Sequence, residues 1–470
     1  MSEKISLDSS EVLAMSTPYS ILLVSANRYK EPYPVYPLGI SYLKSYLRQR
    51  LPQYKVLVFD CNLGSMEDLS ELIVHDQPRY VGISFRNADD VNSLRDNNFL
   101  TGYRQVVDTV RRATSVPLII GGTGFSIFPQ HFMDLMEADY GLAGEGEESL
   151  AQLIETLDAG KQPAAIDGLF VHGVDAGEYP RPRRHYVRSL SVDFEEEWVD
   201  YYWKYSGMLN IQTKRGCPYD CVYCTYPLID GCVIRTLDPA KIVDDILRLR
   251  RQKGIDYLFF TDSVFNICPE YNQRLAEELI RREAKIRWGA YFAPSHLTRE
   301  MLALYRRSGL THIEFGTESF DDQVLEAYGK RFTFEDVLNS SEMALAEGIY
   351  YAHFLIFGGV GETMQTIGRS IENSKRIRSS VFMPYIGMRI YPHTRLQNIA
   401  VQEGVIAADD PLVEPKYYLC KDFDLERVRK MALETGKAWV FPDDNIDSQM
   451  TQFRLKRNKK GPLWEYLRKA

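Results

Sequence analysis

Three cysteines offer the plainest chemistry in this chain. Cys217, Cys221 and Cys224 are spaced C-x3-C-x2-C in the stretch RGCPYDCVYCTYP. Thiolates are soft ligands that suit iron–sulfur clusters or zinc. A fully ligated four-iron cluster takes four cysteines. With three, one iron keeps a free coordination position, as the metal of a catalytic zinc site does. Structural zinc is the competing reading, because Cys232 can supply a fourth thiolate. Against it, the C-x2-C pairs of common zinc modules are not duplicated. Cys61, Cys268 and Cys420 stand alone and read as buried small hydrophobes. Seven cysteines in 470 residues do not make a disulfide scaffold.

Such a loop must be held by a rigid framework, and the surrounding pattern supplies one. Leu209–Lys214 reads as a strand leading into the cysteines. Further strands are expected at Tyr257–Thr261, Ile286–Ala290, His312–Gly316, Tyr351–Phe357 and Met383–Ile390. Apolar spacing of period 3.6 marks helices between them, as at Ala240–Gln252 and Tyr271–Ala284. Six strand–helix units predict a partial (β/α)6 TIM-like barrel, whose working residues sit at strand C-terminal ends. Ahead of it, Ile21–Ser25, Tyr54–Asp60, Tyr80–Phe85, Pro117–Gly122 and Asp139–Ala143 read as five strands alternating with helices. That alternation predicts a doubly wound parallel sheet. The fold class is therefore α/β. The expected division is a disordered tail over 1–18, a first domain over 19–162 and a linker with a small hairpin over 163–205. The barrel follows over 206–400, with a short helical C-terminal tail over 401–470.

Composition narrows the class of partner. The chain is 45% hydrophobic and 26% charged, with a net charge of −8. That balance disfavours nucleic acid as the main partner. The basic run Arg454–Lys460 reads as a solvated helix end. No apolar stretch approaches the ~18 residues of a membrane span, and the first 16 residues lack a signal-peptide pattern. A cytoplasmic location is expected.

The cysteine triplet, with Tyr223 before its last member, resembles the signature of radical S-adenosylmethionine (SAM) enzymes. Three later stretches resemble that family's barrel motifs in the right order. These are Gly316-Thr317-Glu318-Ser319, Gly358-Gly359-Val360-Gly361-Glu362-Thr363 and Arg389-Ile390-Tyr391-Pro392. The resemblance implies a 4Fe-4S cluster on Cys217, Cys221 and Cys224, with SAM chelated by the fourth iron. It further implies SAM contacts from Tyr223, Glu318, Ser319, Gly358 and Arg389, and an external electron donor such as flavodoxin or ferredoxin. Where relatives often carry a Gly-Gly-Glu-type stretch, this chain has Thr261-Asp262-Ser263. Asp262 is then the expected acceptor for the SAM ammonium.

The first domain is similar to the cobalamin-binding domain that precedes the barrel in one large subgroup. The similarity rests on the five-strand order, Pro37-Leu38-Gly39, Gly121-Gly122 and Gly144-Glu145-Gly146-Glu147. It implies cobalamin contacts from Gly121, Gly122 and Gly144. The Asp-x-His-x-x-Gly stretch of many cobalamin domains is absent; Asn27-Arg28-Tyr29-Lys30-Glu31-Pro32 stands there instead. Any bound cobalt then has no histidine from that loop. Arg86 after the third strand either faces the corrin or pairs with Asp89 or Asp90.

Three functions remain open on these grounds. One is cobalamin-dependent radical methyl transfer to an unactivated carbon or phosphorus of a small molecule. Another is radical chemistry without methyl transfer, such as ring formation, rearrangement or 3-amino-3-carboxypropyl transfer to a heteroatom, with the first domain empty. The last is a structural-zinc binding protein. Tyr291, Tyr385, His353 and His393 fall near strand ends and are candidate pocket residues, with core packing or loop structure an equal account of each.

Overall fold

The computed structural model describes residues 19–468, apart from 96–97, 164, 175–190 and 445. The tail expected over 1–18 and the connector segment holding Pro180 and Pro182 lie outside the described residues. Strands β1 (Ser20–Ser25), β2 (Lys55–Asp60), β3 (Tyr80–Ser84), β4 (Leu118–Gly121) and β5 (Tyr140–Leu142) form a parallel sheet in the order 2-1-3-4-5. The run ILLV of β1 is buried on both faces, as a strand covered by helices on either side requires. The strand order reverses between β1 and β3, and open α/β sheets bind ligands at such a point. An edge strand, β6 (Leu169–Val171), pairs antiparallel with β5. It lies where the sequence suggested a linker. Three residues are too few to show a period.

The second sheet is β7 (Leu209–Ile211), β10 (Tyr257–Phe260), β11 (Arg287–Phe292), β12 (Leu310–Glu318), β13 (Tyr350–Phe357) and β14 (Val381–Ile386), joined in that order and all parallel. Between β7 and β10 a short antiparallel ladder, β8 (Lys214–Arg215) with β9 (Arg235–Thr236), brackets the cysteines. After β14, β15 (Met388–Arg389) pairs antiparallel with β16 (Tyr417–Tyr418). Strand β17 (Ala438–Trp439) then adds to β14 in parallel. The region after 400 is therefore not only a helical tail. It contributes a seventh strand to the barrel sheet, again too short to read from sequence.

Alternation sorts each strand's side chains between two faces. Leu258, Phe260, Trp288, Ala290, Phe292, Ile313 and Phe315 join the main core under the helices. Tyr257 and Phe259 turn the other way, with Met208 and Tyr33. Helix Pro239–Lys253 shows why the helices form where they do. Asp238 caps its first turn, Pro239 opens it, and Gly254 ends it in the left-handed region. Each large side chain buried in this core contributes roughly 1.5–3 kcal/mol. No described helix is long and apolar enough to cross a membrane.

Candidate functional site

The cysteine loop hangs from the end of β8. Gly216 stands at φ +89, and a Cβ there would lie 2.2 Å from the Val233 carbonyl oxygen, so a side chain cannot be accommodated. Cys217 N–H donates to the Gly231 carbonyl at 3.0 Å, Val222 N–H to Tyr328 at 3.0 Å, and Cys224 N–H to Cys221 at 3.1 Å. All three cysteines are free thiols; Cys217 is buried and the others are partly exposed. They feel one another electrostatically. Burial, then that mutual repulsion, pushes the Cys224 thiol up to about 12. Among the described residues no three His, Cys, Asp or Glu side chains are drawn together as for a single metal ion. A tetrahedral zinc would need its thiolates all about 2.3 Å from one point. Three thiols from one loop are the donor set of a cluster that keeps one iron open. Cys232 is exposed.

Asp262, the expected SAM acceptor, is turned to the protein's own groups. It has no exposed surface. Its Oδ1 accepts from Thr213 N–H at 2.7 Å and Lys214 N–H at 3.0 Å, and its Oδ2 from Thr213 Oγ1 and Lys214 Nζ. A carboxylate offers about four acceptor positions, and all are taken. The residue instead fixes the backbone that leads into the cysteine loop.

Beside the cysteines, β12 ends in an irregularity between Gly316 and Glu318. Glu318 sits at φ +67, a strained value for a residue with a Cβ. This aims its carboxylate at Tyr223, whose hydroxyl donates to Oε1 at 2.7 Å. Lys330 Nζ reaches Glu318 Oε1 and Tyr223 Oη, each at 3.1 Å. Lys330 is also within electrostatic reach of Cys221 and Cys224. Sequence reasoning missed this lysine, since nothing local marks it. The loop after β13 is braced by Glu362, whose Oε2 accepts from Gly358 and Gly359 N–H. Burial pushes the Glu362 carboxyl up to about 8.

Two further expected SAM contacts are turned inward. Ser319 is sealed from solvent, its Oγ accepting from Asp321 N–H at 3.2 Å. Arg389 is buried and pairs with Asp89 of the first domain at 2.9 Å. Its other donors go to the Ile390, Lys416 and Leu412 carbonyls. Both side chains are buried and bonded to the protein's own groups. Gly358 is covered as well, with a Cβ there meeting Leu419 at 2.5 Å.

The carboxyl edge of the first sheet faces the barrel across a cavity of about 1510 Å3 of atom-free space, counting its open mouth. Its walls bring together Arg86, Gly121, Gly122 and Gly144 with Gln212, Arg215 and Asp230 of the barrel side. Gly39 also lines it, and a Cβ there would meet no protein atom within 4 Å. Gly39 thus adds no side chain to that part of the wall. Gly122 is needed for another reason: at φ +99, its Cβ would strike the Phe85 carbonyl at 2.6 Å. Arg86 makes no ion pair among the described residues, and Asp89, one of its two suggested partners, belongs to Arg389. Arg215, another residue missed from sequence, clamps the two domains through Glu145 at 3.1 Å and Glu147 at 2.7 Å.

Residues 26–154 match the model of the B12 binding domain, and residues 211–373 that of the radical SAM superfamily. The chain carries a B12-binding domain followed by a radical SAM domain. Tryptophan 2-C-methyltransferase of Streptomyces laurentii is 24% identical over 80% of this chain and 74% of its own length. Cytidylyl-2-hydroxyethylphosphonate methyltransferase of Streptomyces wedmorensis is 24% identical over 83% and 82%. The structure of the radical SAM methyltransferase TsrM from Kitasatospora setae, with cobalamin and a 4Fe-4S cluster bound, superposes with a TM-score of 0.84. Identity is 20%, over 96% of this chain and 97% of that one. That likeness establishes the α/β fold.

Of the candidate pocket residues, Tyr291 and Tyr385 lie on the inner barrel face and keep accessible surface. His353 does not join them. It is sealed on the outer face between Thr317 Oγ1 at 2.7 Å and Ser341 Oγ at 3.2 Å, and burial lowers its imidazole to about 3. His393 lines a separate cleft with His131 and Asp410.

Proposed function

We propose that this radical SAM protein is a cobalamin-dependent methyltransferase acting on an unactivated carbon or phosphorus of a small molecule. The observation that carries the reading is the single cavity in which Arg86 and the glycine-lined edge of the B12-binding domain face Ile229 and Asp230, just beyond the cysteine loop. When bound, the cluster, SAM and cobalamin supply reductive bond cleavage and a transferable methyl group. Methyl transfer is also what the names of the two methyltransferases above describe.

The chain's own residues then have these tasks. Cys217, Cys221 and Cys224 hold the cluster. Glu318, oriented by Lys330 and Tyr223, presents a fixed carboxylate to the polar groups of SAM. Gly121, Gly144 and Gly39 leave room for the corrin, and Arg86 places an unneutralised guanidinium against it. Glu145, Glu147 and Arg215 hold the two domains in register, which positions the reacting groups. We further divide the chain into a first domain over 19–162, a linker over 163–205, a barrel over 206–400 and a closing segment from 401. Electrons come from an external donor such as flavodoxin or ferredoxin, the location is cytoplasmic, and nucleic acid is not a partner.

The test is an anaerobic assay of reconstituted protein with SAM and a strong reductant, read by mass spectrometry with and without cobalamin. S-adenosylhomocysteine formation that requires cobalamin is the expected result. Methylthioadenosine as the main product, unaffected by cobalamin, overturns the reading.

A further inference from the structure

One carboxyl stands on the inner face of the barrel without a counter-charge. Glu314 of β12 is 4% exposed. Its Oε1 accepts from Trp464 Nε1 at 2.9 Å. Among the described residues nothing else bonds to it, and Oε2 is not one of the sealed, unpartnered polar atoms. Burial, eased only by the Trp464 bond, pushes the carboxyl up to about 7. Three other buried carboxylates have cations: Asp89 has Arg389, Asp262 has Lys214, and Glu147 has Arg215. Asp60 and Glu362 are buried without one, but Asp60 accepts from Tyr202 and Asn62 and Glu362 from two backbone N–H groups.

Around Glu314 stand four phenols that feel its charge: Tyr33, Tyr257, Tyr291 and Tyr385. The Tyr257 hydroxyl is bonded to His312 Nδ1 at 2.9 Å. The hydroxyls of Tyr33, Tyr291 and Tyr385 have no hydrogen-bond partner among the described residues. Tyr291 and Tyr385 keep 40% and 38% of their surface exposed, although both project from the concave side. They therefore border a hollow. Tyr385 also feels Glu318, and Tyr291 feels Tyr226, which follows the cysteine loop. The hollow thus opens toward the cofactor residues. Arg454 stacks on Tyr33 at 5.5 Å and donates to Gly461; it does not pair with Glu314.

A buried carboxylate is costly unless it is paired, and aromatic faces attract cations. We propose that this hollow takes the protonated nitrogen of an amine-bearing small molecule, set on Glu314 Oε2 and enclosed by the rings of Tyr33, Tyr291 and Tyr385. The inference rests on the methyltransferase reading only in taking that molecule to be the methyl acceptor.

The test is calorimetric titration of the reconstituted protein, without reductant, at about pH 8, where Glu314 is ionised. The probes are tryptamine and tyramine against the neutral alcohols tryptophol and tyrosol. At least one amine should bind about tenfold tighter than its alcohol. Glu314→Gln should erase that preference and leave the alcohol within about twofold. Glu314→Asp, which keeps the charge but withdraws it, should weaken the preference and serves if Gln does not fold. Equal binding of amine and alcohol, no binding of either amine, or an amine preference that survives both substitutions overturns the proposal. Failure of the methyltransferase reading would show elsewhere, in SAM products measured without any probe.

Discussion

Asp89 and Arg389 are 300 residues apart in sequence and form an ion pair with side-chain exposures of 0% and 1%. The arginine also donates to three carbonyls, so it ties the end of the barrel sheet to the B12-binding domain. Removing one partner strands the other charge in the interior, which costs about 3–5 kcal/mol. Arg389→Met should therefore lower the urea unfolding midpoint sharply. Asp89→Asn should do the same. Unchanged midpoints with a weakened SAM affinity for Arg389→Met alone would return Arg389 to SAM binding.

Asp262 holds the Thr213 and Lys214 amides and the Lys214 ammonium, four and three residues before the first cysteine. Asp262→Asn keeps the shape but leaves Lys214 buried without its charge partner. Less iron per chain should be retained after anaerobic reconstitution. SAM affinity of the loaded fraction should stay within about twofold, as measured by equilibrium dialysis.

Lys330 is a positive charge beside Cys221 and Cys224, largely shielded from water. Coulomb's law at a protein-like dielectric makes such a charge worth tens of millivolts to a nearby cluster. Lys330→Gln should shift the cluster's reduction to more negative potential by about that amount, read by redox titration with electron paramagnetic resonance. An unshifted potential would remove Lys330 from this role.

Glu362 predicts a pH dependence of stability. Its folded carboxyl is raised from 4.5 to about 8, chiefly by burial. The folded state keeps a proton that the unfolded chain gives up first. The stability this confers is full below about pH 4.5 and declines as pH rises to about 8, by roughly 2–5 kcal/mol. Glu362→Gln should flatten that part of the profile. Chemical unfolding at about pH 5 and pH 8 compares the two proteins. Parallel profiles would show that Glu362 ionises freely in the folded state.

The cysteine triplet and both parallel sheets were legible because their signals are local: spacing in one case, apolar runs of four or more in the other. Strands β6 and β17 are too short to carry a period. The partners of Asp262 and Arg389 were illegible for another reason. A buried ion pair is settled by tertiary approach, and neither Lys214 nor Asp89 is marked in its own neighbourhood. For His353 the two open readings, pocket and core, could have been separated from the sequence. In Tyr350–Phe357, alternation places Tyr351, His353 and Leu355 together on the helix-facing side, away from Ala352 and Phe354.

Trp464 donates to Glu314, and β17 completes one flank of the same sheet. During synthesis both leave the ribosome more than two hundred residues after Cys217. The nascent barrel therefore emerges with its floor missing and its inner carboxyl bare. It is finished only once Ala438–Trp439 has paired with β14 and Trp464 has reached Glu314. The interior in which the chemistry is placed is thus closed by a late event in the life of the polypeptide, and a fusion or truncation near those residues acts on the chamber itself.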